Sequence, residues 1–352
     1  MRILFITDKL IMGGAETYFY KLENLLSEEE IHFFTAAGDG ELIQKLKNKK
    51  NFTLLTKNRH LKNILILASI VKKQQINILH ANSLRMVFYA VCIKLFISRN
   101  MKVVYTKHNV TLLERKFKRL LPTIINAFVD KVITVSEFEK KNLINLGVKA
   151  KKIETIHNGV DLKQFSFLNK RESSEEFNIG ILGRLSEEKN HELFIQIAKE
   201  LKNEPGLKFH IAGDGPRYQA IARMIKDNGV SQTVTMLGQV NQPDQFIKDM
   251  DILILTSFRE VFPMVLLEAM AVGTPVISIN YGGICEAIDD NKNGYLINEY
   301  SAKAFAEKII LIRSDDNKRT SLSMNGRKKV ENYFTSEIMS ANTLEQYNLE
   351  KG

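Results

Sequence analysis

Short runs rich in β-branched and apolar residues alternate along the chain with longer segments whose apolar positions recur every three to four residues. That alternation predicts repeated βα units around parallel sheets. In the first half the strand-like runs fall at 3–7, 31–35, 53–55, 77–80, 103–106, 131–135 and 153–156. In the second half they fall at 177–182, 208–211, 233–237, 251–255, 275–278 and 295–297. Helical periodicity fills the gaps. Past the last strand only helical segments remain, at 302–313, 321–334 and 336–349, more than one sheet needs to cover its faces. Between 161 and 176 the apolar periodicity gives way to Asn, Lys, Ser and Glu, which predicts a domain boundary near residue 165. The domains are therefore expected at 1–165 and 166–335, with 336–352 as a C-terminal helix. No internal repeat is visible in the pattern.

A length of 352 residues exceeds what one hydrophobic core normally serves, in keeping with two α/β domains. At 44% hydrophobic and 26% charged, the composition excludes a disordered or collagen-like chain. Cys92 and Cys285 lie far apart in apolar runs, which predicts two buried thiols in a reducing compartment rather than a disulfide or a zinc site. The N-terminus enters a strand directly, without the pattern of a signal peptide, so a cytoplasmic protein is expected. The apolar run 262–279 is interrupted by Pro263, Gly273 and Pro275 and carries Glu268 at its centre, so it reads as a buried helix entering a buried strand rather than a membrane span.

Charge is unevenly spread. Residues 1–165 hold 28 Lys and Arg against 14 Asp and Glu, a net of +14 within a total of +10. Such a half meets polyanions, anionic lipid surfaces or phosphorylated substrates, or presents solvated helix faces. No aromatic-basic recognition motif accompanies it, so no nucleic-acid partner is expected.

Three loops that follow predicted strands carry candidate chemistry. After the first strand, Gly13 and Gly14 precede a helix opened by Ala15, where backbone N–H groups and the helix dipole suit an anion. After the first strand of the second half, Arg184 and Lys189 lie five residues apart; a planar fork and a point charge suit a diphosphate, with salt bridges to Glu187 or Glu188 as the structural alternative. In the third loop Glu260 is followed by Phe262, Pro263, Met264 and Val265 and then by Glu268 in an apolar helix. Carboxylates there suit sugar hydroxyls, or else helix-end electrostatics and an internal salt bridge. Asp249 and Asp251 have the spacing of a metal-binding DxD, but they span a helix end and a strand start and read as structural.

The ordered set GGAE (13–16), TKHN (106–109), HNGVD (157–161), GRLSEEKN (183–190), AGDGP (212–216) and the Glu-x7-Glu stretch 260–268, followed by Gly282, Gly283 and Glu286, resembles the retaining, nucleotide-sugar-dependent glycosyltransferases of family four. The resemblance spans nearly the whole chain; 115–128 and most of 40–100, the region expected to face the acceptor, diverge. It implies the GT-B fold: two Rossmann-like, doubly wound α/β domains facing across a cleft, with the C-terminal helix returning to the N-terminal domain. It further implies that Gly13 and Gly14 form a diphosphate loop, that Arg184 and Lys189 bind the donor diphosphate, that Glu260 holds donor-sugar hydroxyls, and that Glu268 holds the nucleotide ribose. Backbone groups of Phe262, Pro263, Met264 and Val265 would meet sugar or phosphate, and His108 would face the transferred sugar.

The implied reaction moves a sugar from a UDP- or GDP-sugar to a glycan or lipid-linked acceptor with retention, without a metal ion or other cofactor. The expected place is the cytoplasm, including the inner face of the cell membrane, with the basic half against anionic lipid. The rival functions are a non-catalytic glycan-binding protein of the same fold and a nucleotide-sugar epimerase.

Overall fold

The computed structural model describes residues 1–27, 31–108, 119–168 and 176–348, which form two compact units. Unit 1 comprises residues 1–159 and 336–352, and unit 2 comprises 160–335.

In unit 1 the chain forms β1 (Arg2–Ile6), α1 (Gly14–Leu26), β2 (His32–Ala37), β3 (Phe52–Leu54), α2 (His60–Lys73), β4 (Ile78–Ala81), α3 (Leu84–Phe96), β5 (Lys102–Lys107), α4 (Leu121–Phe128), β6 (Lys131–Thr134), α5 (Glu137–Asn145) and β7 (Ile153–Thr155). The sheet is parallel, in the order β3-β2-β1-β4-β5-β6-β7. Along β1, Leu4 and Ile6 join the core on one face while Ile3 and Phe5 join the core on the other. That two-sided burial is why the strands read as continuous apolar runs.

Unit 2 continues with β8 (Phe177–Leu182), α6 (His191–Glu200), β9 (Leu207–Ala212), α7 (Tyr218–Asp227), β10 (Val234–Gly238), α8 (Pro243–Asp249), β11 (Ile252–Leu255), α9 (Met264–Val272), β12 (Val276–Ile279), α10 (Ile284–Ala287), β13 (Tyr295–Ile297), α11 (Ala302–Ser314) and α12 (Asp316–Tyr333). Its parallel sheet runs β10-β9-β8-β11-β12-β13. The last helix, α13 (Ser336–Tyr347), belongs to unit 1, where Met339 and Tyr347 pack with Phe5, Tyr18 and Phe19. Its end is tied in by polar contacts: Tyr347 Oη is 2.6 Å from His80 Nδ1, and His80 Nε2 is 2.6 Å from Thr106 Oγ1.

Several details differ from expectation. The division falls after Gly159 rather than near 165. Val160 bridges Thr335, the Phe165 carbonyl accepts from Arg327, and Leu168 donates its N–H to Val272, so 160–168 already belongs to unit 2. The helix expected from 321 starts at Asp316, because the Asp315 side chain accepts from the Lys318 N–H and caps it. Cys285 is exposed and Cys92 half-buried, against the expected pair of buried thiols. On the short α10, Ile284 and Ala287 take the inward positions and turn Cys285 outward.

A repeat also emerges. Ala37-Gly38-Asp39-Gly40 ends β2, and Ala212-Gly213-Asp214-Gly215 ends β9, each in the strand beside the first strand of its unit. In both, the aspartate carbonyl accepts from a leucine in the loop after that first strand, Leu10 N–H at 3.4 Å and Leu185 N–H at 3.0 Å. Four residues among hundreds do not register as periodicity, and only superposed topology makes them equivalent. Among the described residues no helix is long and apolar enough to cross a membrane.

Replacing Tyr347 by Phe leaves His80 Nδ1 without its partner inside the core. We expect a loss of about 1–3 kcal/mol in the stability of unit 1, read from urea denaturation. An unchanged midpoint would show that the contact carries no weight.

Candidate active site

In unit 2, β8 and β11 are adjacent and parallel, so the loops that leave them, 183–190 and 256–263, emerge side by side at the C-terminal edge of the sheet. Side-chain and backbone groups stitch them together. Thr256 Oγ1 donates to the Lys189 carbonyl at 3.0 Å and the Asn190 carbonyl at 2.9 Å, Asn190 Nδ2 donates to the Thr256 carbonyl at 3.2 Å, and Phe258 N–H donates to the Glu188 carbonyl at 2.8 Å. Asn190 takes a left-handed conformation, φ 50°, to cap α6. The consequence is an ion pair: Lys189 Nζ lies 2.6 Å from Glu260 Oε1, which also accepts from Ser257 Oγ at 2.7 Å. Gly282, at φ +68°, backs the loop so closely that a Cβ there would stand 1.8 Å from the Glu260 carbonyl oxygen.

The structure brings Lys189, Glu260 and Val265 into one small depression, together with Gly183, Ser257 and His191. Lys189 pairs with Glu260 rather than with the neighbouring Glu187 or Glu188. Arg184 is exposed on the same loop. Phe262 is buried against Phe334, with ring centroids 5.4 Å apart, and contributes packing as well as backbone. Pro263 is the N-cap of α9 and has no side-chain cap to offer, so the N–H groups of Met264, Val265 and Leu266 begin the helix without one. Glu268 sits half-buried further along α9 and does not line the depression.

In unit 1, α1 begins at Gly14 rather than Ala15, with Gly13 as its N-cap. The loop is already served by acids. The Glu16 carboxylate folds back to within 2.4 Å of where a Gly13 Cβ would stand, and the Met12 N–H donates to Glu41 Oε1 at 2.7 Å. Burial raises the Glu16 carboxyl above the usual carboxylate range, more than its own backbone hydrogen bond and Lys9 lower it. His108 follows β5, whose end is anchored by the buried pair Lys107 Nζ–Glu139 Oε1 at 3.2 Å. His108 Nε2 is 2.7 Å from Asn82 Oδ1, and Asn82 Nδ2 donates to the Ala15 carbonyl at 3.0 Å. That second bond fixes the amide, so Asn82 Oδ1 accepts and His108 Nε2 carries the proton. Its Nδ1 is the acceptor side of the ring.

Residues 12–164 match the family described as Glycosyltransferase Family 4, and residues 163–329 match Glycosyl transferases group 1. The chain belongs to the family-four glycosyltransferases. It is 27% identical over 349 residues to the O-antigen biosynthesis glycosyltransferase WbnH of Escherichia coli, covering 94% of this chain and 96% of that protein. It is 26% identical over 284 residues to N-acetyl-alpha-D-glucosaminyl L-malate synthase of Bacillus anthracis, covering 77% and 74%. Its fold is that of Anabaena Alr3699/HepE, solved in complex with UDP-glucose, with a TM-score of 0.86, 21% identity and 99% of each chain covered. The architecture of the glycosyltransferase is therefore GT-B, with two Rossmann-like parallel sheets.

The sequence reading passed over Asn82, Lys107, Glu139, Ser257 and His191. Asn82 and Lys107 lie at strand ends, where a signal was available; Glu139, Ser257 and His191 become visible only through their spatial neighbours. At the DxD pair, Asp251 Oδ2 accepts the Asn178 N–H at 2.8 Å and Asp249 Oδ1 accepts from Gln245 at 2.7 Å.

Three rings of the glycosyltransferase are held neutral. Burial lowers His80 and His108 to about 3, with His108 adding to the effect on His80. Burial, then the charges of Lys189 and Arg217, lowers His191 to about 4. From pH 6.5 downward the unfolded chain binds protons that the folded rings refuse, so this part of the stability is complete above pH 6.5 and lost as pH falls. The slope approaches about 1.4 kcal/mol per pH unit for each ring. Urea midpoints should therefore decline steadily from pH 6.5 to 5, and midpoints independent of pH would contradict the assignment.

Proposed function

We propose that the enzyme moves a hexose from a UDP- or GDP-sugar to a glycan or lipid-linked acceptor, with retention of anomeric configuration, in the synthesis of a bacterial surface polysaccharide or glycolipid. The observation that carries this reading is the Lys189–Glu260 pair, held at 2.6 Å at the carboxyl ends of two adjacent parallel strands. A lysine ammonium has three donors and Glu260 engages one, which leaves the others for diphosphate oxygens. Lys189 and Ser257 both reach Oε1, which leaves Glu260 Oε2 for a sugar hydroxyl.

In this reading Arg184 joins Lys189 on the diphosphate, and the backbone of Phe262, Pro263, Met264 and Val265 leading into α9 meets sugar or phosphate, the N–H groups of Met264 and Val265 serving as donors because Pro263 has none. Glu268 holds the ribose. Gly13 and Gly14 approach the diphosphate once the Glu16 side chain turns away from Gly13. His108 offers Nδ1 to a hydroxyl of the transferred sugar. The acceptor hydroxyl attacks C1 from the side on which the nucleotide departs; the C1–O(phosphate) bond breaks, the C1–O(acceptor) bond forms, and the leaving phosphate takes the proton. Charge growing on that phosphate is met by Arg184 and Lys189, so no divalent metal is called for. The relationship to an O-antigen biosynthesis glycosyltransferase supports a bacterial glycan product.

Glu260→Gln and Lys189→Ala should each lower transfer about a hundredfold while circular dichroism shows the fold intact. Proton NMR of the product should show the donor's anomeric configuration, with a rate unaffected by EDTA. Wild-type turnover in both variants would remove the assignment of this depression, and an inverted product would remove the mechanism.

The reading extends to the membrane. Residues 42–113 hold fourteen lysines and arginines and no aspartate or glutamate. On α2, Leu61 and Leu65 are 80% and 70% exposed, one helical turn apart, beside the exposed Lys57, Arg59 and Lys62. In the sequence, residues 112–121 alternate cations with apolar side chains and extend the same basic character; 112–118 lies outside the described residues, while Arg119 and Leu120 are exposed. We place an anionic lipid surface against this unit, at the inner face of the cell membrane, with about 1 kcal/mol per cation near the surface. Vesicle sedimentation should rise with anionic lipid content, fall with salt, and weaken when Lys57, Arg59 and Lys62 are neutralised. No binding at low salt would make the acceptor a water-borne glycan.

A further inference from the structure

His191 occupies the first position of α6, directly after the left-handed Asn190 that caps the helix. The two bonds that join Asn190 to the 256–263 loop fix the corner, and the histidine ring turns inward to 3% exposure. There it lines the same depression as Gly183, Lys189, Ser257 and Glu260. Neither ring nitrogen has a hydrogen-bond partner within the protein.

This is unlike the other enclosed histidines of the chain. His80 engages both nitrogens, His108 bonds Asn82 and His210 bonds Asn178. A buried imidazole retains one N–H and one lone pair, and a position that only needed apolar packing would be filled as well by Phe or Leu at no polar cost. The unused donor also stands among positive charges, since Lys189 and Arg217 both act on the ring. Burial first, and those cations after it, keep it neutral. A neutral N–H beside two cations is complementary to an anionic oxygen.

We infer that His191 is a donor-binding residue, giving its ring N–H to an oxygen of the diphosphate of a nucleotide-sugar seated against Lys189 and Glu260. The inference rests on the reading of this depression as the donor site. It assigns to the corner of α6 a third hydrogen-bond donor for the leaving group, supplied without a further charge. The ring's burial means that the contact forms where water is excluded, which favours a directional hydrogen bond over a screened ionic one.

The test uses the full chain and two variants, His191→Phe, which keeps a ring and removes its hydrogen bonding, and His191→Asn, which keeps a donor. Calorimetry with UDP and with GDP identifies the nucleotide that wild type binds. The Phe variant should bind that nucleoside diphosphate, and its hexose conjugate, about tenfold more weakly, with the same factor for both. The Asn variant should recover part of the loss. The melting temperature of the ligand-free Phe variant should not fall, because an unpartnered polar ring has been removed. With ¹⁵N-labelled histidine, the ring signal missing in the Asn variant should shift when the nucleotide is added to wild type.

A Kd within twofold of wild type in the Phe variant overturns the inference and leaves the donor site in place. A loss confined to the hexose conjugate overturns the diphosphate contact in favour of one to the sugar. Should the Phe variant fail to fold, the Asn variant and the ring signal decide: an unmoved signal overturns the inference. If wild type takes up neither nucleotide, the donor-site reading itself fails, and this inference with it.

Discussion

The ion pair between Lys189 and Glu260 depends on two loops being held in one geometry, and that geometry follows from strand order. In unit 2 the sheet reverses direction of growth between β8 and β11, so the loops after these strands diverge to opposite faces and leave a crevice between them. A crevice alone would not align an ammonium and a carboxylate. Thr256 and Asn190 do so by exchanging hydrogen bonds across it, using backbone carbonyls that a loop would otherwise give to water. Ser257 then steadies the carboxylate from its own loop. Gly282 fills the space behind, because any side chain there would strike the Glu260 carbonyl.

Unit 1 solves the same problem with the same device. Its sheet reverses between β1 and β4, and Asn82, just beyond β4, donates across the gap to Ala15 in the first turn of α1. The remaining oxygen of that amide orients His108 at the end of the next strand. The repeated Ala-Gly-Asp-Gly turns belong to the same economy. In each unit the aspartate carbonyl of that turn braces the loop after the first strand, and the glycines permit backbone-to-backbone contact; a Cβ at Gly213 would lie 1.9 Å from the Gly183 carbonyl oxygen.

Polar groups inside these units follow two regimes. His80 and Thr106, tied to Tyr347 of the returning helix, form a satisfied chain that fastens α13 to the sheet of unit 1. Around the depression at the ends of β8 and β11, by contrast, polar groups are left with capacity to spare: the second oxygen of Glu260, two N–H bonds of Lys189 and the ring of His191. A satisfied network specifies structure, and spare capacity at the end of a parallel strand is what a ligand would use.

The order of strands and helices was legible in the sequence because burial on both faces makes parallel strands uniformly apolar and their covering helices amphipathic. All thirteen strand-like runs correspond to β1 through β13 with ends shifted by two residues at most. The glycosyltransferase family was legible too, because its motifs stand in order along the chain, several of them in the loops that follow the strands. What the sequence could not supply is pairing. It offered Lys189 the nearby Glu187 and Glu188, and only the adjacency of β8 and β11 brings Glu260, 71 residues away, to its ammonium. The division at Gly159 rather than 165, the outward turn of Cys285 and the unused nitrogens of His191 were decided in the same way. Each depends on which surfaces close over a residue, a property of contacts made at long range that local pattern does not encode.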